Sequence, residues 1–310
     1  MRISVCLCTW NRSRLLDQTL TKLRDVVVPP GVEWEVIVIN NNSTDDTDAV
    51  LERHASHLPL IRLHEAKPGH THARNRGLPH ASGDLILWTD DDVQVPKHWL
   101  TAAVEGAARF PEAVGFAGPI LPWFPEPPDP VLLEAFPALG NGFCGLNLGM
   151  EPRRMHEDEF AYGANMLFRA SATQGLLFDT NIGHKGNRPG SGDDLEYQRR
   201  LKQRGGTFAW LPEMSVEHYV DPSRMTLDYL TKYYYATGEA DARREGVPTG
   251  TQLFGMPRYL VRVAAERYLK FCVNRLRGRR RAALEHLRNF HYYRGVLSGC
   301  RQLTKAGRHA

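Results

Sequence analysis

No stretch of this 310-residue chain approaches the ~20 consecutive apolar residues that a membrane-crossing helix requires. Cysteine is scarce. The five thiols (Cys6, Cys8, Cys144, Cys272 and Cys300) are odd in number and lack zinc-site or Cys-x-x-Cys spacing, so they are expected to stay reduced. Cys6 and Cys8 alternate along an apolar run and read as small buried residues. No glycine-rich phosphate loop of the kinase or P-loop type occurs, nor a Gly-x-Ser-x-Gly nucleophile elbow, which leaves those chemistries without support. A charged-then-apolar leader is missing too, since Met1-Arg2-Ile3-Ser4-Val5 enters a strand-like run directly. The expectation is a protein made and kept in the cytoplasm.

What is present is an ordinary globular composition, 42% hydrophobic and 24% charged, enough for one large core or one core with an appendage. The net charge of +4 hides an asymmetry. From Arg258 to Ala310 there are 14 Lys and Arg against 2 Asp and Glu, whereas residues 1–257 carry 25 against 33. An acidic body suits a bound cation, and a basic tail suits an anionic surface.

Short apolar runs alternate with helical segments over the first 120 residues. Ile3 to Thr9, Val36 to Ile39, Leu60 to His64 and Leu85 to Thr89 read as strands. Leu16, Leu20 and Leu23 recur at helical spacing, and Thr71 to Leu78 has helical character. This pattern predicts βαβ units and a mostly parallel sheet covered on both faces. Ligands of such sheets bind outside the carboxyl ends of the strands. Thr9-Trp10-Asn11, Asn40-Asn41 and Asp90-Asp91-Asp92 all fall at those ends. Further strands are expected at Val114 to Ala117, Ala161 to Phe168 and Thr207 to Leu211, with helices from Pro96 to about Phe110 and from Asp193 to Gln203. The seven prolines of residues 119–137 exclude regular helix or a central strand there, so this stretch reads as an irregular connection.

Three adjacent carboxylates at a strand end repel one another unless water or a cation compensates them. A hard divalent ion bridging to phosphate oxygens is a natural partner; a solvated acidic turn is the alternative. The blocks Ser4 to Arg12, Val38 to Thr47, Ala73-Arg74-Asn75-Arg76-Gly77, Thr89 to Asp92, Gly192-Asp193-Asp194-Leu195 and Glu217-His218 occur in a fixed order. Together they resemble the family 2 glycosyltransferases, over roughly residues 3–220. The resemblance implies an α/β GT-A (Rossmann-like) fold with a mostly parallel sheet flanked by helices, followed by a helical, basic C-terminal appendage. It divides the chain into a catalytic domain over residues 1–224, with a nucleotide-sugar-binding half (1–118) and an acceptor-binding half (119–224), and a helical region over 225–310.

The activity so implied is inverting transfer of a sugar from a nucleotide-diphosphate donor to an acceptor hydroxyl, dependent on Mn²⁺ or Mg²⁺, in surface or secreted glycan synthesis. By resemblance, Asp92 is a metal ligand, with Asp90 supporting the metal or contacting ribose, and Asp91 able to exchange roles with Asp92. His218 would add a third ligand, although a strand-end histidine is commonly just hydrogen-bonded. Asp194 stands where the family's base stands, beside Asp193 where glutamate is more usual. The same carboxylates would also suit a helix N-terminus. Thr9, Asn11, Arg12, Asn40, Asn41, Arg74, Asp90 and Asp91 are assigned to the nucleotide sugar. Asn40 replaces a common aspartate, which leaves uridine as the default base with guanosine or thymidine open. Arg74 suits a base or diphosphate; the alternative is a solvated helix face. His64, His70 and His72 form a looser cluster read as ordinary loop and surface residues, with a zinc site as the weaker alternative.

In the tail, Leu260, Val261, Ala264, Ala265, Tyr268, Phe271 and Cys272 share a helix face opposite Arg262, Glu266, Lys270 and Arg277, with Arg275 and Arg279 to Arg281 nearby. Such a helix either lies on anionic lipid, at the inner face of the plasma membrane beside a lipid-linked or glycan acceptor, or packs its apolar face on the catalytic domain. No nucleic-acid reader motif is present, and nucleic acid is not expected as a partner. A nucleotidyltransferase would want glycines in Trp10-Asn11-Arg12-Ser13, which has none. A non-catalytic binder of nucleotide sugars or lipid surfaces would be indifferent to loss of Asp194.

Overall fold

Four of the apolar runs become parallel neighbours: β1 (Arg2–Thr9), β2 (Glu33–Asn40), β3 (Leu60–His64) and β4 (Leu85–Asp90). The computed structural model describes residues 1–134, 140–143, 145–182, 192–253 and 255–306. It divides into two compact units, Met1–Leu121 with Leu146–Tyr219 and Pro122–Gly145 with Val220–Ala310.

In the first unit the sheet continues with β6 (Ala113–Ala117), β8 (Arg153–Arg154), β9 (Met166–Arg169) and β10 (Thr207–Trp210), giving eight strands in the order β3-β2-β1-β4-β9-β6-β10-β8. β9 is antiparallel to both of its neighbours, and β8 to β10. Outside this sheet, β5 (Val93–Gln94) pairs with β11 (Val216–Tyr219), and β7 (Ile120–Trp123) follows β6. Side chains alternate along each strand, so both faces need cover. Val5, Leu7, Val36, Val38, Leu85 and Leu87 meet Leu16, Leu20 and Leu23 of α1 (Ser13–Arg24) and Trp99, Leu100 and Ala103 of α4 (Trp99–Arg109). On the other face Cys6, Ile37, Ile39, Ile86 and Trp88 pack with Ala73 of α3 (His70–Gly77) and with Tyr197 and Leu201 of α5 (Asp193–Gln203). The helix α2 (Thr47–His54) follows β2. Gly205, at a φ of +86°, closes α5 in the left-handed conformation that favours glycine.

Three sequence expectations change. Residues 119–137, read as an irregular connection without regular helix, hold β7 and a short helix, Pro130–Glu134, whose proline stands at the first helical position, where no N–H is needed. The strand foreseen from Ala161 is shorter, because Gly163–Asn165 forms a tight turn and only Met166–Arg169 extends. The Asn165 side chain explains the break: it accepts from the Trp99 indole and donates to the carbonyls of Pro119 and Met214. β11 was not foreseen as a strand at all. Cys6, Cys8, Cys272 and Cys300 are free thiols, as expected; Cys144 lies outside the described residues.

The second unit is helical: α6 (Leu227–Glu245), α7 (Arg258–Leu276) and α8 (Arg280–Ala306), with a hairpin of β12 (Gln252–Leu253) and β13 (Met256–Pro257) before α7. α6 and α8 approach closely because both carry glycine at their crossing. A Cβ on Gly238 would stand 2.0 Å from the Tyr292 carbonyl oxygen, and one on Gly295 would stand 1.9 Å from that of Tyr235. No described helix is long and apolar enough to cross a membrane.

Candidate active site

The parallel register places Thr9 beside Asn40 and Cys8 beside Asp90, so the ends of β1, β2 and β4 form one carboxyl edge. The loops that follow are tied to each other. Asn11, at a φ of +52°, donates its backbone N–H to Ser43 Oγ and accepts the Thr44 N–H at 2.7 Å. Asn40 is buried with both ends of its amide engaged: Oδ1 accepts the Ser43 N–H and Nδ2 donates to Asp48. Asn41 donates to the carbonyls of Glu65 and Lys67 and accepts the Gly69 N–H, which pins the approach to α3.

The triplet is held, not solvated. Asp91 and Asp92 are buried and Asp90 is partly covered. A single nitrogen of Arg12, Nη1, lies 3.2 Å from Asp91 Oδ1 and 2.7 Å from Asp92 Oδ2, so this guanidinium is turned onto the carboxylates. Pairing of β11 with β5 sets His218 opposite Val93, and the Tyr219 N–H donates to the Asp92 carbonyl. His218 Nε2 then lies 3.4 Å from Asp92 Oδ1 and 3.8 Å from Asp90 Oδ2. One donor atom from each of Asp90, Asp92 and His218 falls within 4.8 Å of the others, the one such group of three metal-ligating side chains among the described residues.

The donor set fits a divalent ion. Asp92 Oδ1 is buried and accepts no hydrogen bond, a costly condition for a charged oxygen. The other imidazole nitrogen, Nδ1, is 2.9 Å from the Tyr219 carbonyl oxygen and donates there, which leaves Nε2 facing the two carboxylates, as a donor when the ring is protonated and as a metal ligand when it is neutral. A cation among the three would relieve the repulsion between the two carboxylates. Burial opposes ionisation of Asp90, but His218, His70 and Arg74 outweigh it and hold its carboxyl well below the usual range. Asp91 moves the other way, raised by burial and then by the charge of Asp92.

A short path leads from the triplet to the aspartate pair. Thr89 donates to the Ala164 carbonyl at 3.0 Å, and the neighbouring Gly163 N–H donates to Asp194 Oδ2 at 2.9 Å. Asp193 is ion-paired with Arg74 at 2.9 Å and lies 3.5 Å from His70 Nδ1. Arg74 is 2% exposed, and its guanidinium sits over the rings of Trp88 at 5.6 Å and Phe178 at 5.1 Å. The solvated helix face is thereby ruled out for Arg74. Burial works against the charge of Asp193, yet Arg74 and then His70 hold its carboxyl well below the ordinary value. Asp194 is raised, by burial first; Arg74 offsets this in part and Asp193 adds to it. Two adjacent carboxylates are thus pushed in opposite directions.

Sequence reasoning missed two members of this cluster. His70 was read as a surface residue, although its spacing from Arg74 puts the two on one face of α3. Gly163 carried no sequence signal. A Cβ there would lie 2.2 Å from Arg74 Nη2, so only glycine leaves room for the buried guanidinium.

Residues 4–174, more than half of the chain, match the family model described as glycosyl transferase family 2. The chain belongs to that family. This glycosyltransferase is 27% identical over 247 residues to the succinoglycan biosynthesis protein ExoM of Rhizobium meliloti, covering 78% of this chain and 75% of the relative. It is 25% identical over 243 residues to a glucosyl-dolichyl phosphate glucuronosyltransferase of Haloferax volcanii, covering 74% and 73%. Among solved structures, the family 2 glycosyltransferase resembles the mannosyltransferase PcManGT of Pyrobaculum calidifontis, in complex with GDP-Man and Mn²⁺, with a TM-score of 0.55 at 17% identity, covering 100% of this chain and 75% of that one. Residues 1–349 of Staphylococcus aureus TarS align with a TM-score of 0.56 at 15% identity, covering 100% and 92%. These likenesses show the GT-A fold.

Proposed function

We propose that this glycosyltransferase is an inverting, metal-dependent enzyme that moves a sugar from a nucleotide-diphosphate donor to an acceptor hydroxyl in the assembly of a surface or secreted glycan. One observation carries the reading: a buried, unbonded Asp92 oxygen faces His218 Nε2 beside Asp90, at the carboxyl edge of the sheet. Asp90, Asp92 and His218 would hold Mn²⁺ or Mg²⁺, and such an ion supplies charge neutralisation to a leaving diphosphate. Arg12 keeps Asp91 and Asp92 close together. Thr9, Asn11, Asn40 and Asn41 shape the nucleoside end of the crevice, with UDP the default donor and GDP or dTDP the variants.

Asp194 is the base. Its carboxylate takes the proton of the acceptor hydroxyl while that oxygen bonds to the anomeric carbon and the bond to the diphosphate breaks on the opposite face. Burial raises Asp194 above the ordinary carboxylate value, which strengthens it as a proton acceptor. Asp193 neutralises and orients Arg74 rather than taking the proton. The acceptor is a glycan or lipid-linked saccharide, and the enzyme works in the cytoplasm, peripheral to the inner face of the plasma membrane.

A panel of nucleotide sugars tests this, read by Mn²⁺-dependent thermal shift and by donor hydrolysis. A stabilising shift that vanishes with EDTA and in Asp92→Ala is expected. Equal donor affinity with and without EDTA would remove the metal from the account.

A further inference from the structure

The α7 helix carries two stripes at helical spacing. Leu260 and Ala264 are buried and Phe271 is half-buried on one side. Arg258, Arg262, Ala265, Leu269, Val273 and Leu276 follow one another three or four residues apart, which places them together on the opposite side. All of this second set except the half-buried Val273 are exposed. The residues expected from sequence to meet lipid are therefore partly spent on packing inside the protein, and a different stripe faces outward.

That outward stripe grades from basic to apolar. Leu269 is 64% exposed and Leu276 is 88% exposed, large values for leucines that are neighbours on one helix face. Arg258 and Arg262 precede them, and the exposed Arg277, Arg279, Arg280 and Arg281 follow directly. The acidic residue nearby, Glu266, is paired with Lys270 and so leaves the positive field intact. Arginines bracketing apolar side chains match a surface that is anionic at its headgroups and apolar just beneath.

We propose that this stripe docks the enzyme on an anionic lipid bilayer, with Leu269 and Leu276 entering the acyl boundary and the flanking arginines meeting lipid phosphates. The inference deepens the membrane-bound reading above and rests on it for its purpose, but lipid contact is measured without any sugar.

The test is cosedimentation of the full chain with phosphatidylcholine vesicles, with and without phosphatidylglycerol. Binding is expected only with phosphatidylglycerol, falling as salt rises. Leu269→Ser/Leu276→Ser should lower partitioning by about tenfold or more, and Arg279→Glu/Arg280→Glu/Arg281→Glu should abolish it. Both substitutions lie on the surface, so melting temperatures and donor-induced thermal shifts should match the parent protein. Absence of binding to phosphatidylglycerol vesicles overturns the proposal. So does a leucine variant that partitions like the parent while duplex RNA is bound equally well, since that marks a general polyanion contact. Vesicle binding without a donor-induced shift would sink the nucleotide-sugar reading and leave the lipid surface standing.

Discussion

The first unit buries some of its charges besides keeping exposed pairs such as Arg62–Glu52 and Arg109–Glu213, whereas the second spaces its described pairs along its helices. In the first, Arg74 is 2% exposed against a buried Asp193, and Asp91 and Asp92 are buried beside Arg12. In the second, Asp228–Lys232, Glu239–Arg243 and Glu266–Lys270 are ion pairs one helical turn apart. The side chains of Asp228 and Lys232 are about three-quarters exposed, at 73% and 75%. An exposed pair of that kind contributes little, because water screens it and two flexible side chains must be ordered. A buried pair costs desolvation that its attraction rarely exceeds by much, so stability alone is a weak reason for it. Arg74, Asp91, Asp92 and Asp193 are buried charges that lie near the carboxyl edge of the sheet. Charge spread along exposed helices sets a field at the surface.

The sharpest way to break this contrast is to remove the charges one at a time. Asp194→Asn should lower turnover by about 10²–10⁴ while leaving the donor-induced thermal shift in place; measurable loss of donor binding instead would make Asp194 a ligand site. Arg74→Met strands Asp193 in the interior with the His70 ring as its nearest described polar neighbour. It should cost about 3–5 kcal/mol in denaturant unfolding, and a near-neutral result would erase the distinction between the units. Gly163→Ala forces its Cβ against Arg74 and should cost about 1–3 kcal/mol, with a larger fall in turnover than its stability loss explains.

A pH profile sharpens the division of labour. Asp194 must be ionised to accept a proton, and burial raises it, so transfer should fall as pH drops through an apparent pKa above the ordinary carboxylate range. Asp193→Asn removes a repelling charge and leaves Arg74, so that acid limb should move to lower pH, measured as turnover against pH. The smallest effect is expected in the helical unit. Asp228→Ala should change unfolding free energy by less than about 1 kcal/mol, and by less still at high salt.

Much of the sheet edge was legible in the sequence. Strand runs such as Val36 to Ile39 declare themselves because both faces of a parallel sheet are buried and every position is apolar, whereas Leu60–His64, at the sheet edge, carries Arg62 and His64 and is only partly covered. The triplet is legible as well, since Asp90, Asp91 and Asp92 follow Trp88 and Thr89 with no break. Pairs far apart in the chain were not legible. Arg74 with Asp193, and Arg12 with Asp91 and Asp92, depend on where loops land, and no local periodicity encodes that. β11 escaped notice because Val216–Tyr219 is short and gains its strand character from pairing with β5.

The sequence by itself determined that this chain would build a parallel αβ sheet with acidic residues at its carboxyl edge. Side-chain alternation and helical period are local properties, and they survive in the bare string of residues. Only the tertiary structure decided that Asp193 is ion-paired with Arg74 while burial raises its neighbour Asp194. A carboxyl's ionisation depends on its burial and on the charges within a few ångströms of it, and these come in part from distant chain segments, as Arg74 reaches Asp193 from 119 residues away.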